Sequence, residues 1–200
     1  MKNIIVYDFD KTIYDGETST DFMRFFLKRN PKYILKIYKV IHSLIYYRYD
    51  LKKSKEIFFS ILDDIEVEYL KKEIHEFWVE NKKKIFTWVY DEIIENKKKA
   101  EELILISATP SLFLEEISKE LGFDKLIATT FFKQNKYFIS KINGKNCKHI
   151  EKVYKLKEYL PKFNILAFYS DSMSDKPLFD LAQKKYFISK GIKKKGLPNE

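Results

Sequence analysis

The sequence of 200 residues contains one cysteine and only three arginines. A single cysteine, Cys147, excludes an internal disulfide and is predicted to be a small buried residue. Because arginine is so scarce, almost all of the formal net charge of +9 comes from lysine. Lysine-rich surfaces without arginine clusters are poorly suited to reading nucleic acid bases, which depends on the planar guanidinium. No nucleic acid partner is therefore expected.

Long hydrophobic runs are also absent. The longest apolar stretch, residues 33–47, is interrupted by Lys36, Lys39 and His42, and it is too short to span a bilayer. The first predicted strand begins almost at Met1, so no signal peptide is expected. We therefore expect a cytoplasmic protein without a membrane-spanning helix.

Three hydrophobic runs end abruptly in acidic or hydroxyl side chains. The runs and the polar residues that follow them are 4–7 with Asp8 and Asp10, 103–106 with Ser107, and 165–169 with Asp171 and Asp175. Continuous apolar runs of this length are typical of buried parallel strands. The first acid pair alone is equally compatible with a simple strand end and turn. Since ligands bind at the carboxyl edge of parallel sheets, the ordered set of three favours a shared site.

Between the first and second runs the pattern is helical throughout. Four amphipathic stripes with helical spacing contain Phe22, Phe25 and Phe26; Ile34, Ile37, Val40, Ile41, Leu44 and Ile45; Ile57, Phe58, Ile61, Leu62 and Ile65; and Ile74, Phe77, Trp78 and Ile85. After residue 97, strands and helices alternate. We expect a strand over 126–129, a hairpin over 131–139, a helix over 148–160, a helix over 175–183, a last strand over 186–188 and a disordered tail around 193–195.

The motifs at the strand ends form an ordered set. It consists of Asp-Phe-Asp-x-Thr at residues 8–12, Ser107, Lys152 on a predicted late helix, and the Asp171-x-x-x-Asp175 loop. This set resembles the haloacid dehalogenase superfamily, and within it the phosphoserine-phosphatase-like branch. The resemblance covers the whole chain. It implies an α/β fold with a three-layer core, built on a Rossmann-like parallel sheet, and a four-helix cap inserted between strands one and two. The core would comprise residues 1–16 and 97–200, and the cap residues 17–96.

Four carboxylates, those of Asp8, Asp10, Asp171 and Asp175, are expected to converge at adjacent strand ends. Two bare charges about 4 Å apart repel by roughly 4 kcal/mol at an effective dielectric constant of about 20, so such a cluster is costly without a cation. Oxygen ligands with room for water suit Mg²⁺. The resemblance implies that Asp8, Asp171 and the backbone carbonyl of Asp10 bind the ion, and that Asp175 supports the loop.

The resemblance also implies roles in phosphoryl transfer. Asp8 would be the nucleophile that forms an aspartyl-phosphate, and Asp10 would protonate the leaving oxygen and then activate water. Donors to the phosphoryl oxygens would come from Ser107, from nearby backbone N–H groups and from a lysine. Lys152 matches the family's Lys-Val pattern at a helix start, and Lys145 is the alternative.

The sequence departs from phosphoserine phosphatases near the expected pocket. Ser170 and Ser172 stand where those enzymes usually have glycines, and Ala-Thr-Pro at residues 108–110 replaces Gly-Gly after the serine. Glu17 matches an acidic residue that contacts the substrate amine in that group. On a gapless local match, the arginine expected to bind the substrate carboxylate is replaced by Phe58, whose ring cannot pair with a carboxylate. Phosphoserine is therefore a poor candidate substrate.

The first functional hypothesis is a Mg²⁺-dependent phosphatase that hydrolyses a small phosphorylated metabolite through an aspartyl-phosphate. The alternative is a phosphatidylglycerophosphate phosphatase-like enzyme at the membrane surface, because residues 22–31 resemble the start of the cap in that group. Lys32, Lys36, Lys39 and Arg48, beside an apolar stripe, would suit anionic phospholipid. A basic nucleic-acid-binding module without catalysis is the remote third hypothesis, and no recognition motif favours it.

Overall fold

The computed structural model describes residues 1–46 and 49–198, which form a six-stranded sheet, a separate two-stranded hairpin and the helices around them. The strands are β1 (Lys2–Tyr7), β2 (Glu102–Pro110), β3 (Lys125–Thr129), β4 (Phe131–Gln134), β5 (Tyr137–Ile142), β6 (Phe163–Ser170), β7 (Ala182–Ser189) and β8 (Ile192–Lys195). The sheet order is β3-β2-β1-β6-β7-β8, and neighbouring strands are parallel except for the antiparallel β7–β8 pair. The three hydrophobic runs of the sequence are therefore three adjacent strands, with β1 between β2 and β6.

Most of the helices in the described residues lie between β1 and β2. They are α1 (Thr18–Arg29), α2 (Ile34–Tyr46), α3 (Leu51–Phe59), α4 (Val67–Asn81) and α5 (Trp88–Lys97), followed later in the chain by α6 (Ser111–Glu120), α7 (Ile150–Tyr159) and α8 (Lys176–Phe179). Within the described ranges, none of these helices has the length and apolar character needed to cross a bilayer.

Alternate residues of β1 face opposite sides of the sheet. Ile5 and Tyr7 belong to the larger apolar cluster, which includes side chains of α5 and α6. Ile4 and Val6 belong to a second cluster with side chains of α7 and α8. All four residues are buried, as expected for a central parallel strand that is covered on both faces. The predicted three-layer α/β fold with a parallel sheet is confirmed.

Among the residues that the structure describes, the segment between β1 and β2 contains five α-helices, one more than the four amphipathic stripes of the sequence. The additional helix, α5, buries only Val89, Ile93 and Asn96, so its apolar stripe is short. The side-chain N–H group of Asn96 donates to the hydroxyls of Tyr7 at 2.6 Å and Tyr169 at 2.9 Å. These bonds attach α5 to two central strands of the sheet.

The predicted hairpin forms as β4–β5, and it is joined to the helical segment by backbone hydrogen bonds. The N–H of Val67 donates to the carbonyl of Lys136 at 2.8 Å, and the N–H of Phe138 donates to the carbonyl of Ile65 at 2.9 Å. The connection between α3 and α4 therefore runs along β5 as a further short extended segment.

Two acidic side chains of the helical segment strengthen this attachment. The Asp63 carboxylate accepts from the N–H of Ser140 at 2.6 Å and from its hydroxyl at 2.8 Å. The Glu56 carboxylate accepts from the N–H of Ile142 at 3.0 Å. Because backbone and side-chain bonds act together, the hairpin and the helices α3 and α4 form one packed unit.

The C-terminal tail differs from its prediction. The residues around 193–195, predicted to be disordered, form β8 and pair with β7. The ammonium of Lys193 pairs with Glu92 and lies over the rings of Trp88 and Tyr186. A lysine whose stem covers aromatic surface and whose charge is paired stabilises an edge strand that its composition does not predict.

The helix predicted over residues 175–183 is too long. In the structure α8 ends at Phe179. Ala182 already pairs with Ile165 of β6 as the first residue of β7. Pairing with the sheet therefore overrides the local helical pattern, which is a common outcome where strand contacts compete with propensity.

The substitution Asn96→Ala is expected to destabilise the protein by about 1–3 kcal/mol, because it removes the donor to two buried phenol oxygens. Urea denaturation followed by circular dichroism measures the loss. Glu95→Ala, on the exposed side of the same helix, is the matched control and is expected to leave the transition unchanged. An unchanged transition in Asn96→Ala would show that these two hydrogen bonds do not contribute to stability.

Candidate active site

Asp8 and Asp10 follow β1 at the carboxyl edge of the sheet. The N–H of Asp8 donates to the carbonyl of Tyr169 in β6 at 2.9 Å, so the strand pairing continues to Asp8. Lys11 has a φ of 56°, a left-handed conformation that is uncommon outside glycine. The strand pairing and this turn fix both carboxylates at the sheet edge.

A buried lysine links two of the predicted carboxylates. The ammonium of Lys152 donates to Asp8 Oδ1 and to Asp175 Oδ2, both at 2.7 Å, and its side chain is 3% exposed. Lys152 lies in the first turn of α7, whose Val153 and Leu156 are buried against the sheet. Apolar packing of the helix therefore positions the lysine between the two acids.

Burial and charge oppose each other in this group. Burial raises the pKa of Asp8 to about 7, although the Lys152 ammonium acts in the opposite direction. Burial alone would lower the pKa of Lys152, but the carboxylates of Asp8 and Asp175 outweigh it, and the pKa is raised. Lys152 is therefore a cation at every physiological pH, and one ammonium does not fully compensate the acids around it.

Both carboxylate oxygens of Asp10 are hydrogen-bonded. Oδ1 accepts from the N–H of Thr18 at 2.8 Å and from the Thr18 hydroxyl, and Oδ2 accepts from the Thr109 hydroxyl at 2.6 Å. Burial nevertheless raises the pKa of Asp10 above its ordinary value. Because a hydroxyl can donate or accept, these contacts accommodate Asp10 with or without a proton.

The hydroxyl of Thr12 lies between Asp8 and Asp171. Its oxygen is 3.3 Å from Asp8 Oδ2 and 3.4 Å from Asp171 Oδ1, and it accepts from the N–H of Asp171 at 2.9 Å. Burial raises the pKa of Asp171. One threonine therefore holds the two carboxylates on either side of the same small space.

The serines that replace glycines in the loop after β6 take part in hydrogen bonds. The Ser170 hydroxyl donates to Asp175 Oδ2 at 2.8 Å, and its oxygen accepts from the N–H of Ser172 at 3.2 Å. The oxygen of Ser172 accepts from the N–H of Ser174 at 3.2 Å. The substitutions thus stabilise the loop that carries the second acid pair.

Ser107 lies near the end of β2 and faces the acids. Its hydroxyl oxygen accepts from the N–H of Thr109 at 3.1 Å, and the residue is 2% exposed. Ser107 and Ala108 line the same cleft as Asp8 and Asp10. The structure therefore brings this predicted residue to the acid pair.

The alternative lysine lies elsewhere. The side chain of Lys145 is 73% exposed, and its ammonium pairs with Glu151 at 3.3 Å. Lys152 lines the cleft, and Lys145 is not among the lining residues. The structure thus places Lys152, rather than Lys145, beside the carboxylates.

The predicted residues line one open cleft of about 270 Å³. The lining residues are Asp8, Asp10, Lys11, Glu17, Ser107, Ala108, Lys148, Lys152, Asp171, Ser172, Ser174 and Asp175. Five of these side chains are carboxylates and three are ammonium groups, so the cleft has an excess of two negative charges when every group is ionised.

The two predicted cap residues occupy different positions. Glu17 lines the cleft, and its carboxylate is paired with the ammonium of Lys11. Phe58 is not among the residues that line the cleft. Its ring packs on Phe59 with a centroid distance of 5.0 Å, beside the larger apolar cluster. The structure therefore brings Glu17, but not Phe58, to the acids.

The donor set of the cleft fits a divalent cation. In the part of the chain that the structure describes, no group of three or more His, Cys, Asp or Glu side chains is arranged as a metal site. The set implied by the sequence, however, needs only two carboxylates and one backbone carbonyl. Asp8 and Asp171 supply two carboxylates on either side of Thr12. A hard cation with oxygen ligands would relieve the negative excess among these buried acids.

Some residues of the site were not predicted from the sequence. Thr12 belongs to the Asp-Phe-Asp-x-Thr pattern, so a signal for it was present. Thr18 and Thr109 reach Asp10 from α1 and from the end of β2, and no local pattern connects residues so far apart. Lys148 also lines the cleft, but single lysines do not stand out in a lysine-rich chain.

Two solved structures have a fold similar to that of this chain. A phosphoserine phosphatase in its apo form aligns with a TM-score of 0.63 at 18% identity, covering 92% of this chain and 85% of that chain. A protein of unknown function from Bordetella pertussis Tohama I aligns with a TM-score of 0.79 at 18% identity, covering 92% of this chain and 89% of that chain. The chain therefore shares its α/β fold with both of these structures.

The family follows from the sequence model. The model of the haloacid dehalogenase-like hydrolases matches residues 5–180. The chain therefore belongs to the haloacid dehalogenase-like hydrolase family, and the family predicted from the motifs is confirmed. Protein CicA from Caulobacter vibrioides is 22% identical over 201 residues, covering 94% of this chain and 87% of that protein. As a member of this family, the protein is an enzyme of the hydrolase class.

In metal-free buffer at about pH 8, Lys152→Met is expected to destabilise the protein by about 3–5 kcal/mol, because it leaves the buried carboxylates of Asp8 and Asp175 without their ammonium. The loss is expected to be smaller at about pH 5.5, because an acid with a raised pKa binds a proton as the pH falls and the folded state then contains less unpaired charge. Urea unfolding at both pH values measures the difference.

Lys145→Met is the matched control for this experiment. Its ammonium is exposed and pairs with Glu151 at the surface, so its removal is expected to leave the unfolding transition unchanged. A loss in Lys152→Met that is the same at both pH values would contradict the electrostatic explanation.

Proposed function

We propose that this protein is a Mg²⁺-dependent phosphatase that hydrolyses the phosphomonoester of a small cytoplasmic metabolite through an aspartyl-phosphate. The observation that carries the proposal is the position of Asp8, 2.7 Å from the buried ammonium of Lys152 and next to the hydrogen-bonded Asp10. A structure of a phospho-aspartyl intermediate analogue of phosphoserine phosphatase aligns with this chain at a TM-score of 0.58 and 19% identity, covering 92% of this chain and 84% of that chain. That likeness supports the same chemistry here.

In this proposal, residues 1–16 and 97–200 are the catalytic core, and residues 17–96 are a helical cap. The cap carries Glu17 to the cleft. It also packs against the β4–β5 hairpin, which belongs to the core in sequence. Cap and hairpin together would cover the substrate.

Mg²⁺ would be held by the carboxylates of Asp8 and Asp171 and by the backbone carbonyl of Asp10, with Asp175 supporting the loop. When bound, the ion supplies positive charge that neutralises these acids and polarises the phosphoryl group. Thr12 orients the first two carboxylates. The contact of Lys152 with Asp175 keeps the loop beside β1.

Asp8 attacks phosphorus through a carboxylate oxygen, and the bond between phosphorus and the leaving oxygen breaks. Asp10 donates its proton to that oxygen; its raised pKa favours the protonated form that this step requires. In the second step Asp10 accepts a proton from the water that attacks the aspartyl-phosphate. Inorganic phosphate is released, and Asp8 is restored.

The transferred phosphoryl group needs donors around its oxygens. The Ser107 hydroxyl and the Lys152 ammonium are the side chains in place for this role, because both line the cleft next to Asp8. The backbone N–H groups after Asp10 and Ser107 would contribute further bonds. In this mechanism, the main contribution of the β1 and β2 strand ends is to position the groups that bind the phosphoryl oxygens.

Asp8→Asn is expected to lower Mg²⁺-dependent hydrolysis of p-nitrophenyl phosphate by on the order of a thousandfold or more, because the amide is nearly isosteric but is not a nucleophile. The initial rate of nitrophenolate release measures the loss, and chelation of the metal with EDTA is expected to abolish wild-type activity. Asp91→Asn, an exposed acid on α5, is the control. Full activity in Asp8→Asn would rule out the covalent mechanism.

A second candidate function is a lipid phosphatase at an anionic membrane surface, and one observation favours it. Along α2, Ile34, Leu35, Tyr38 and Ile41 are exposed, with Leu35 at 85%, whereas Val40 on the other side of the helix is buried. An α-helix that is apolar on its outward face as well as its inward face presents a surface suited to a partner or a bilayer.

The four basic residues predicted to flank this apolar face do not share one position in the structure. Lys32 is exposed and near the start of α2. Lys36 points inward, where its ammonium donates to two backbone carbonyls before α4 at 3.3 and 3.1 Å. Arg48 and the side chain of Lys39 lie outside the described residues. Among the described residues, Lys36 is therefore not positioned to contribute its charge to the exposed apolar face.

The lipid function predicts that the protein co-sediments with liposomes containing anionic phospholipid at about 0.15 M salt. The double substitution Leu35→Glu and Tyr38→Glu is expected to remove this binding, because it places charges on the apolar face. Val79→Glu, at an exposed apolar position of α4, is the matched control. No co-sedimentation of the wild type would leave the soluble metabolite as the substrate class.

A further inference from the structure

Lys55 of α3 reaches from the helical segment to Ala108 at the edge of the cleft, although Lys55 is not itself among the lining residues. Its ammonium donates to the backbone carbonyl of Ala108, which lines the cleft, and to Asn146 Oδ1 at 3.0 Å. The hydroxyl of Thr129 lies 2.7 and 2.9 Å from the same two oxygens. Lys55 is therefore held at the cleft by polar contacts with neutral groups.

This ammonium is not matched by a carboxylate. In the described residues, no acidic oxygen lies within ion-pair distance of Lys55 or of its neighbour Lys148. Burial lowers the pKa of Lys55 to about 8; the charge of Asp10 acts against that shift, and the charge of Lys148 adds to it. Buried charges in proteins are normally paired. Lys55 is therefore a half-buried ammonium with no carboxylate at ion-pair distance among the described residues, and the exposed Lys148 adds a second positive charge.

The negative charge of Glu17 in the cleft is already paired with a lysine. Glu17 lines the cleft, but its carboxylate is paired with the ammonium of Lys11. A substrate amine would have to compete with that lysine for Glu17. The leaving portion of the substrate thus meets an environment that favours negative over positive charge.

We propose that Lys55, together with Lys148, binds a second anionic group on the leaving portion of the substrate. Preferred substrates would be phosphomonoesters that carry an additional carboxylate or phosphate and no amine. An ammonium has three donors, and Ala108 and Asn146 use two of them, so one remains for the anion. The inference depends on the proposed phosphatase function, because it assigns the part of the substrate that this activity releases.

Esters with the same reacting phosphate and two-carbon leaving groups test this assignment. Phosphoglycolate carries a carboxylate, ethylene glycol bisphosphate a second phosphate, ethylene glycol monophosphate a hydroxyl, and phosphoethanolamine an ammonium. The wild-type kcat/KM is expected to be roughly 10- to 100-fold higher for an anionic ester than for the hydroxyl ester, as is typical of one charge-assisted hydrogen bond. Phosphoethanolamine is expected to be the poorest substrate.

Lys55→Met is expected to lower this preference ratio by tenfold or more, and Lys148→Met is expected to lower it in the same direction. Lys52→Met is the matched control. Lys52 lies on the same helix but is exposed, and its ammonium donates to the carbonyl of Gly144 at 3.2 Å. Lys52→Met is expected to leave the ratio of kcat/KM for anionic and hydroxyl esters unchanged. Comparing the carboxylate and phosphate esters distinguishes which anion is preferred.

Three results would overturn the inference. These are equal wild-type kcat/KM for anionic and hydroxyl esters, an unchanged ratio in Lys55→Met, and an equal slowing of all four esters in Lys55→Met, which would mark Lys55 as a purely structural link. Thermal melts followed by circular dichroism establish whether the variant folds. If it does not, Lys148→Met and the wild-type ratio decide.

Failure of the phosphatase function itself is recognised separately. In that case the wild type hydrolyses neither these esters nor p-nitrophenyl phosphate with Mg²⁺. Calorimetric titration of the wild type with phosphoglycolate and with ethylene glycol monophosphate then tests the anion site alone. Tighter binding of phosphoglycolate supports the site, and equal affinity contradicts it.

Discussion

The buried ammonium of Lys152 is the constraint on which the geometry of the cleft depends. Its contacts of 2.7 Å with Asp8 and Asp175 join β1, α7 and the loop after β6. Carboxylates so close together repel each other strongly where water is excluded, and a cation between them is required for all three segments to meet. The packing of Val153 and Leu156 under α7 therefore determines the position of the candidate nucleophile.

The cleft contains charges of both signs. Asp8, Asp10 and Asp171 give the sheet edge a negative excess, whereas Lys148 in the cleft and Lys55 at its edge are positive. A divalent cation at the sheet edge would reverse the sign there, so that a phosphoryl group could approach the acids. In the proposed substrate complex, Lys55 and Lys148 would bind the other end of the substrate. The metal would therefore bind the reacting phosphate, and the lysines would bind a second anionic group. With both groups bound, the substrate could occupy the cleft in only one orientation.

The sequence predicted the parts of this arrangement that depend on continuous apolar runs. Such runs are typical of buried parallel strands, so the polar residues at their ends were expected to meet at one edge of the sheet. Lys152 required the family pattern, because nothing local distinguishes it from other lysines. The remaining features depend on single contacts between distant residues, such as Thr109 with Asp10 or Asn96 with the tyrosines of β1 and β6. Periodicity contains no information about such pairs, and for this reason the sequence predicts neither α5 as a separate helix nor the strand β8.

The attachment of the β4–β5 hairpin limits how the proposed cap can move. The backbone bonds of Val67 and Phe138 join the hairpin to the helices, so a movement of the cap carries the hairpin with it. The return from the hairpin leads through Asn146, which binds Lys55 of the cap, to α7 and Lys152. Opening of the cap would therefore break the contacts of Lys55 with Ala108 and Asn146 and would pull on the segment that leads to Lys152. Closure would restore the contact with the leaving group and the geometry of the reacting group in the same movement.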